Sequence, residues 1–159
     1  MSQTHQFKIN TEWTDNLGQG TLNYLSYSRD HILKVMNKPE LLLSSYKDYQ
    51  GNENKHNPED LFISSISSCH MLWYLHLCAE NKIRVFQYKD EAIGTLKLNK
   101  DGSGKFIDVS LYPIVFVENE TMIPKAKALH SEAHNFCFIA SSCNFPIRHF
   151  PKIKLYSKL

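Results

Sequence analysis

The chain has 159 residues, a formal net charge of +2 and a hydrophobic fraction of 42%. That length fits one domain over 1–159, with an N-terminal strand region (1–56) followed by a helix–strand–helix–strand region (57–159). Scattered lysines argue against nucleic-acid binding, no stretch reads as long and apolar enough to span a membrane, and MSQTHQFKIN has no apolar signal region, so the expected compartment is the cytoplasm.

The first third reads as strands. Residues 8–14 alternate moderately and 22–28 alternate clearly. After a turn at Arg29 and Asp30 comes the run 31–36, and hairpin pairing of these runs is expected. A short apolar run, 41–45, leads into a polar loop over 46–57 with the Gly and Asn density of a surface connection. Asn57, Pro58, Glu59 and Asp60 then combine a capping residue, a first-turn proline and two acids at the positive end of a helix dipole. The helix they start runs to about Lys82. Phe62, Ile66, Cys69, Trp73 and Leu77 form its apolar stripe, and Leu61, Ile63, Leu72 and Leu75 widen it nearly all round, as in a helix buried in a core or interface. Strand patterns return from Arg84 to Val117 around a Gly-rich turn at Asp101–Gly104. A second helix is predicted over 124–142, with Ala126, Leu129, Ala133, Phe136, Cys137 and Ala140 on one face, and the tail ends as a strand. The order is that of an α+β fold rather than a repeated βαβ one.

Four cysteines (Cys69, Cys78, Cys137 and Cys143) in a reducing compartment argue against structural disulfides, and none is spaced as CxxC. Cys69 and Cys137 each sit on a predicted helix beside small hydroxyl residues. Burial silences a thiol, and a nearby cation reverses that by favouring the thiolate. The helix N-terminus is too far from Cys69 to help. Glu59 lies ten residues before Cys69, roughly on the opposite face and about 15 Å away along the axis. The two share a site only if a second chain supplies one of them. Arg29, Arg84 and Arg148 are the only arginines, and Arg29 alone precedes the long helix. A metal set of Cys69, His70, His134 and Cys137 is a minor alternative, because its spacing matches no known finger.

Two segments carry a resemblance. NPEDLFISSISSCHMLWYLHLCAENKI (57–83) resembles the signature helix of the OsmC/Ohr family, with a cysteine ten residues after the glutamate. AHNFCFIASSCNFPIRH (133–149) resembles its second signature. Together they cover about a third of the chain. The resemblance implies an OsmC-like fold, with antiparallel sheets wrapped around two long central helices in an intertwined homodimer whose active sites lie at the subunit interface. It implies thiol-dependent reduction of organic hydroperoxides, with Cys69 as peroxidatic and Cys137 as resolving cysteine, an external dithiol as reductant and no cofactor or metal. Glu59 matches the family's active-site acid, which pairs with an arginine. Arg29 is the candidate for that arginine and Lys47 the alternative. Phe62, Trp73 and Phe136 are candidates to line a pocket for the organic tail. The chain departs from the family pattern in Phe138, where a proline commonly follows the second cysteine, and in His70 directly after Cys69. These departures point to a general OsmC-like branch. A second function on the same scaffold is a non-enzymatic protein that binds a small hydrophobic ligand.

Overall fold

The computed structural model describes residues 3–157, which divide into two compact units, one ending at Leu61 and one beginning at Phe62. In the first unit, β1 (Asn10–Trp13), β2 (His31–Lys34) and β3 (Leu41–Leu43) form an antiparallel meander. Trp13 faces His31 across one pair, and His31 faces Leu43 across the next. The expected strand at 22–28 does not form. Leu17, Gly18 and Gly20 take positive φ, Ser26 Oγ donates to the Gly20 and Asn23 carbonyls, and the Leu25 N–H donates to Asn23 Oδ1. Such local side-chain bonds offer the backbone an alternative to a ladder.

The long helix α1 (Pro58–Glu80) starts where its sequence predicts. Asn57 Oδ1 accepts from the Asp60 N–H at 2.8 Å, and the Asn57 N–H donates back to Asp60 Oδ2 at 3.2 Å, a reciprocal capping box. It stops at Lys82, whose positive φ of 57° ends the helix, while the Ile83 N–H reaches back to the Cys78 carbonyl.

In the second unit three strand tracks are each interrupted at one level. The result is two three-stranded sheets: β5 (Ile93–Leu98), β6 (Gly104–Leu111) and β8 (Ile147–His149) in one, and β4 (Val85–Lys89), β7 (Ile114–Val117) and β9 (Lys152–Leu155) in the other. Pro113 and Pro151 fall in two of the interruptions, where a missing N–H cannot continue the ladder. Asp90 lies in the third. Its carboxylate accepts from the Tyr112 N–H at 2.7 Å and from the Ser67 hydroxyl, so it replaces a backbone acceptor and ties α1 to the seam. Gly94 lets the helix approach: a Cβ there would meet Ile63 Cδ1 at 2.7 Å.

The structure corrects four expectations. The two sheets of the second unit are mixed rather than antiparallel, because β8 pairs with β6 and β9 with β7 in parallel. The chain returns from β7 through two helices, the crossover that parallel pairing needs. The second helix is broken into α2 (Ile123–Phe136) and α3 (Phe138–Ser141), with Cys137 extended at φ −71°, ψ 105° between them. The buried stripe of α1 is Ile66, His70, Tyr74 and Cys78, displaced from the predicted one by tertiary packing. Finally, α1 is long and apolar enough to cross a membrane by length and composition, although 22% of that window is buried inside the chain. Here it packs on both sheets. Ile66 joins Val109 and Leu111, while Tyr74 and Cys78 join Val115, Val117, Ala126, Leu129 and Ala133.

Ile66 is fully buried on that stripe. Ile66→Ala should lower the unfolding free energy by about 2–5 kcal/mol, measured by urea denaturation. A loss under about 1 kcal/mol would show that the site collapses without cost, contrary to a packed stripe.

Candidate active site

Cys69 lies on α1 and Cys137 at the α2–α3 break, and the fold brings the two side by side. The break itself explains the seat of Cys137. Its backbone leaves the helical region, its thiol sulfur accepts the Ala140 N–H at 3.4 Å, and so it caps α3. Cys137 is fully buried and Cys69 half-buried. Burial, and then interaction with Cys69, pushes the Cys137 thiol up to about 11. Cys137 therefore holds its proton firmly. Cys78 is likewise pushed up to about 11 by burial, beside Tyr74, and Cys143 is raised for the same reason.

The candidate acid and cations belong to the first unit. Glu59 has one carboxylate oxygen, Oε2, buried with no hydrogen-bond partner. Arg29 does not pair with it. Its guanidinium donates to the Tyr24 and Tyr27 carbonyls and lies over both tyrosine rings, with centroids 4.3 and 3.9 Å away. Lys47 is engaged by Glu53 at 3.7 Å on the surface. Ten residues at about 100° each leave Glu59 and Cys69 roughly a quarter-turn apart on α1, not opposite. The axial separation of about 15 Å is what keeps them from meeting.

Of the three aromatic candidates, Trp73 and Phe136 stack at 5.1 Å. Phe138, which stands where the family commonly has proline, meets Trp73 edge-on at 5.6 Å. Leu72, Trp73 and His76 line an open cavity of about 230 Å³. These residues lie three, four and seven positions after Cys69, on the helix face it shares. Phe62 is elsewhere, packed on Phe106 and Phe145 in the core.

One feature not legible in the sequence alone is a run of imidazoles, with His70 and His130 buried and His134 and His149 half-buried. His70 Nε2 and His130 Nδ1 are 3.0 Å apart. The His149 ring stacks on His70 at 4.3 Å, Tyr74 stacks on His130 at 3.8 Å, and His134 meets His149 edge-on at 4.9 Å. The signal was present in the four-residue spacings of Ile66, His70, Tyr74 and Cys78 and of His130 and His134. Histidine, however, reads as a polar rim until its neighbours are known. Among the described residues no three His, Cys, Asp or Glu side chains converge to hold a metal ion, so the set Cys69, His70, His134 and Cys137 forms no such site. Burial, reinforced by the other imidazoles, depresses His70 and His130 to about 3 and His149 to about 4.

These features bear directly on the family. A family model for OsmC-like proteins matches residues 51–149, and the chain belongs to that family. Among solved structures, an OsmC-like protein of unknown function from Vibrio cholerae superposes with a TM-score of 0.82 at 26% identity, covering 94% of this chain and 99% of that one. An OsmC-like protein from Mycoplasma pneumoniae gives 0.71 at 11% identity, covering 96% and 99%. An organic hydroperoxide resistance protein from Elizabethkingia anophelis gives 0.66 at 20% identity, covering 97% and 100%. No protein of curated function matches the sequence.

The depressed histidines set an acid limit on stability. An unfolded histidine takes up a proton near pH 6.5, whereas folded His70, His130 and His149 stay neutral down to about 3, 3 and 4. Between those values the unfolded state binds more protons. Stability is therefore full above about pH 6.5 and falls with decreasing pH by roughly 1 kcal/mol per unit for each group. The melting temperature should drop on the order of 10 °C between pH 7.5 and pH 5, with a shallower slope in His149→Phe. A flat profile by calorimetry would contradict the buried cluster.

Proposed function

We propose that this protein is a thiol-dependent peroxidase that reduces organic hydroperoxides, with Cys69 as the attacking and Cys137 as the resolving cysteine. The observation that carries the reading is the juxtaposition of the two sulfurs, with Cys137 the buried, proton-holding member. The Cys69 thiolate displaces the distal peroxide oxygen. The O–O bond breaks, the alkoxide takes a proton and leaves as an alcohol, and Cys69 becomes a sulfenic acid. Cys137 gives up its proton and attacks that sulfur, hydroxide leaves as water, and a Cys69–Cys137 disulfide forms. An external dithiol reduces it by exchange and is itself oxidised to a disulfide. The name of the Elizabethkingia structure supports this substrate class. Four free thiols fit a cytoplasmic setting.

The remaining parts belong to a homodimer, in which the chain acts as one domain. The first unit buries only Leu43 and Ser44 beyond nine-tenths while exposing Phe7, Leu22, Leu25 and Met36. Most of the apolar α1 window is only partly covered, and Leu72 is exposed. Contiguous apolar surface of this kind calls for a partner, and a second copy also removes the axial separation of Glu59 from Cys69. In that assembly Glu59, with its unpartnered Oε2, accepts the Arg29 guanidinium, and the pair supplies the positive charge beside Cys69. Trp73 and Phe136 hold the organic tail. Phe62, set in the core, supports α1 from behind.

One observation favours a second reading, a binding protein for a small hydrophobic ligand. Arg29 is spent on two tyrosine carbonyls, and the cavity over Trp73 is open. Peroxide consumption with a dithiol reductant separates the two. Cys69→Ser should lose at least about 100-fold of the rate, the scale expected for removal of an attacking nucleophile. Cys137→Ser should complete one turnover and stop at the sulfenic acid. Unchanged consumption in Cys69→Ser would leave the binding reading.

A further inference from the structure

We infer that the buried imidazole cluster is the positioning device of the dithiol: with every ring neutral it locks the end of α2 against α1 and keeps Cys137 on Cys69, and on protonation it lets Cys137 go. This rests on the thiol chemistry proposed above for the same two cysteines, and it assigns the residues that hold them together.

The geometry is specific. His70 directly follows Cys69 on α1. His130 and His134 occupy the last two turns of α2, and the Cys137 N–H donates to the His134 carbonyl at 3.3 Å. The 3.0 Å contact between His70 and His130 is thus the direct polar tie between the two cysteine-bearing elements. His149 brings β8 onto the same stack. Tyr74 closes it from α1, with Tyr88 of β4 at 5.8 Å beyond.

The cluster holds no counter-charge. The groups that face His70, His130 and His149 electrostatically are one another and His134. Tyr74 and Tyr88 are both pushed up by burial, as is Cys78 beside Tyr74. Arg148, next to His149 on β8, is taken by Asp108 of β6. His70 and His130 are 1% and 2% exposed, yet His70 Nδ1, His130 Nε2, His134 Nδ1, His149 Nε2 and the Tyr74 hydroxyl have no partner. A neutral ring tolerates one bare nitrogen in a dry site. An imidazolium beside three other imidazoles and no carboxylate does not, and the relief open to it is separation of the rings and entry of water. His70 and His130 are on different elements, so separation means that the last turn of α2 lifts from α1 and draws Cys137 off its seat, while Cys78 stays packed on Val115, Val117 and Ala126.

The test labels thiols in the full-length protein with a dipyridyl disulfide, which stays reactive in mild acid, and maps the modified cysteines by mass spectrometry. Cys78, as dry as Cys137 but one turn beyond Tyr74, is the internal reference. Between pH 7.5 and pH 4.5, Cys137 labelling should rise at least tenfold relative to Cys78. In a His70→Phe/His130→Phe double variant, which keeps the rings but not the titration, the rise should stay below threefold. His149→Phe alone should reduce it, and that variant decides the matter if the double variant labels fast at pH 7.5 and so is misfolded. Parallel exposure of Cys137 and Cys78, or an undiminished rise in the variants, overturns the lock. A stoichiometric dose of organic hydroperoxide at pH 7.5 tests the other layer. If no Cys69–Cys137 disulfide forms, the peroxidase reading falls, while acid-selective labelling of Cys137 still upholds the lock.

Discussion

The structure depends on one stripe of one helix. Ile66, His70, Tyr74 and Cys78 recur every four residues along α1, so a single face runs the length of both sheets. Its ends are apolar and fill two separate cores, with Val109 and Leu111 at one and Val115, Val117 and Leu129 at the other. Its middle is polar. His70 sits where the two sheets part, at the level of the interruptions around Asp90, Pro113 and Pro151. A gap between sheets is where a side chain with a polar ring meets least apolar wall. The imidazoles stack there on one another rather than on leucine. The Asp90 carboxylate, bonded to both Ser67 and the Tyr112 N–H, fixes the same helix to the same gap.

That arrangement also limits the chemistry of Cys69. A reactive thiol needs positive charge or hydrogen-bond donors nearby, and the obvious neighbours are histidines. Their burial keeps them uncharged at any pH where a thiol peroxidase works, so they supply no cation. The charge has to come from a permanently ionised group. Among the arginines, Arg84 is bound to Glu118 and Arg148 to Asp108, both through charged partners. Arg29 is held by backbone carbonyls and tyrosine rings alone. A carboxylate offers a guanidinium more than neutral carbonyls do, and the unpartnered Glu59 oxygen is such a carboxylate. Under the proposed chemistry, the neutral partners of Arg29 are what leave it available as the source of charge.

Much of this was legible in the sequence because it is local. The start of α1 is written in Asn57, Pro58 and Asp60: the structure forms the cap expected at Asn57, and Asp60 adds the return bond of a capping box. The hairpins around Asp101–Gly104 follow from alternation and turn chemistry. What escaped was non-local or competitive. The parallel seating of β8 and β9 depends on where two helices return the chain, which periodicity does not encode. The strand expected at 22–28 lost to side-chain bonds from Asn23 and Ser26. The helix expected through 142 broke at a cysteine with no helix-breaking chemistry of its own, and the thiol then served as a cap. Two of the aromatic candidates, Trp73 and Phe136, meet. Phe62, on the same predicted stripe, does not, because a one-residue rotation of the buried face sends it into the sheet.

That rotation separates the roles of α1. With His70 rather than Cys69 on the core face, the thiol is displaced by one residue, about 100°, to the edge of the buried stripe. There it is half-buried while its neighbour is dry. Had Cys69 occupied the core position it would share the fate of Cys78, nine residues along, whose thiol burial pushes up to about 11. In the proposed cycle peroxide must reach one sulfur, whereas the other waits protonated until a sulfenic acid appears. Cys137, dry and capped onto α3, meets the second condition, and the offset of Cys69 from the stripe meets the first. The difference between the two thiols follows from which face of α1 the two sheets bury, and His70 is the residue that occupies that face beside Cys69.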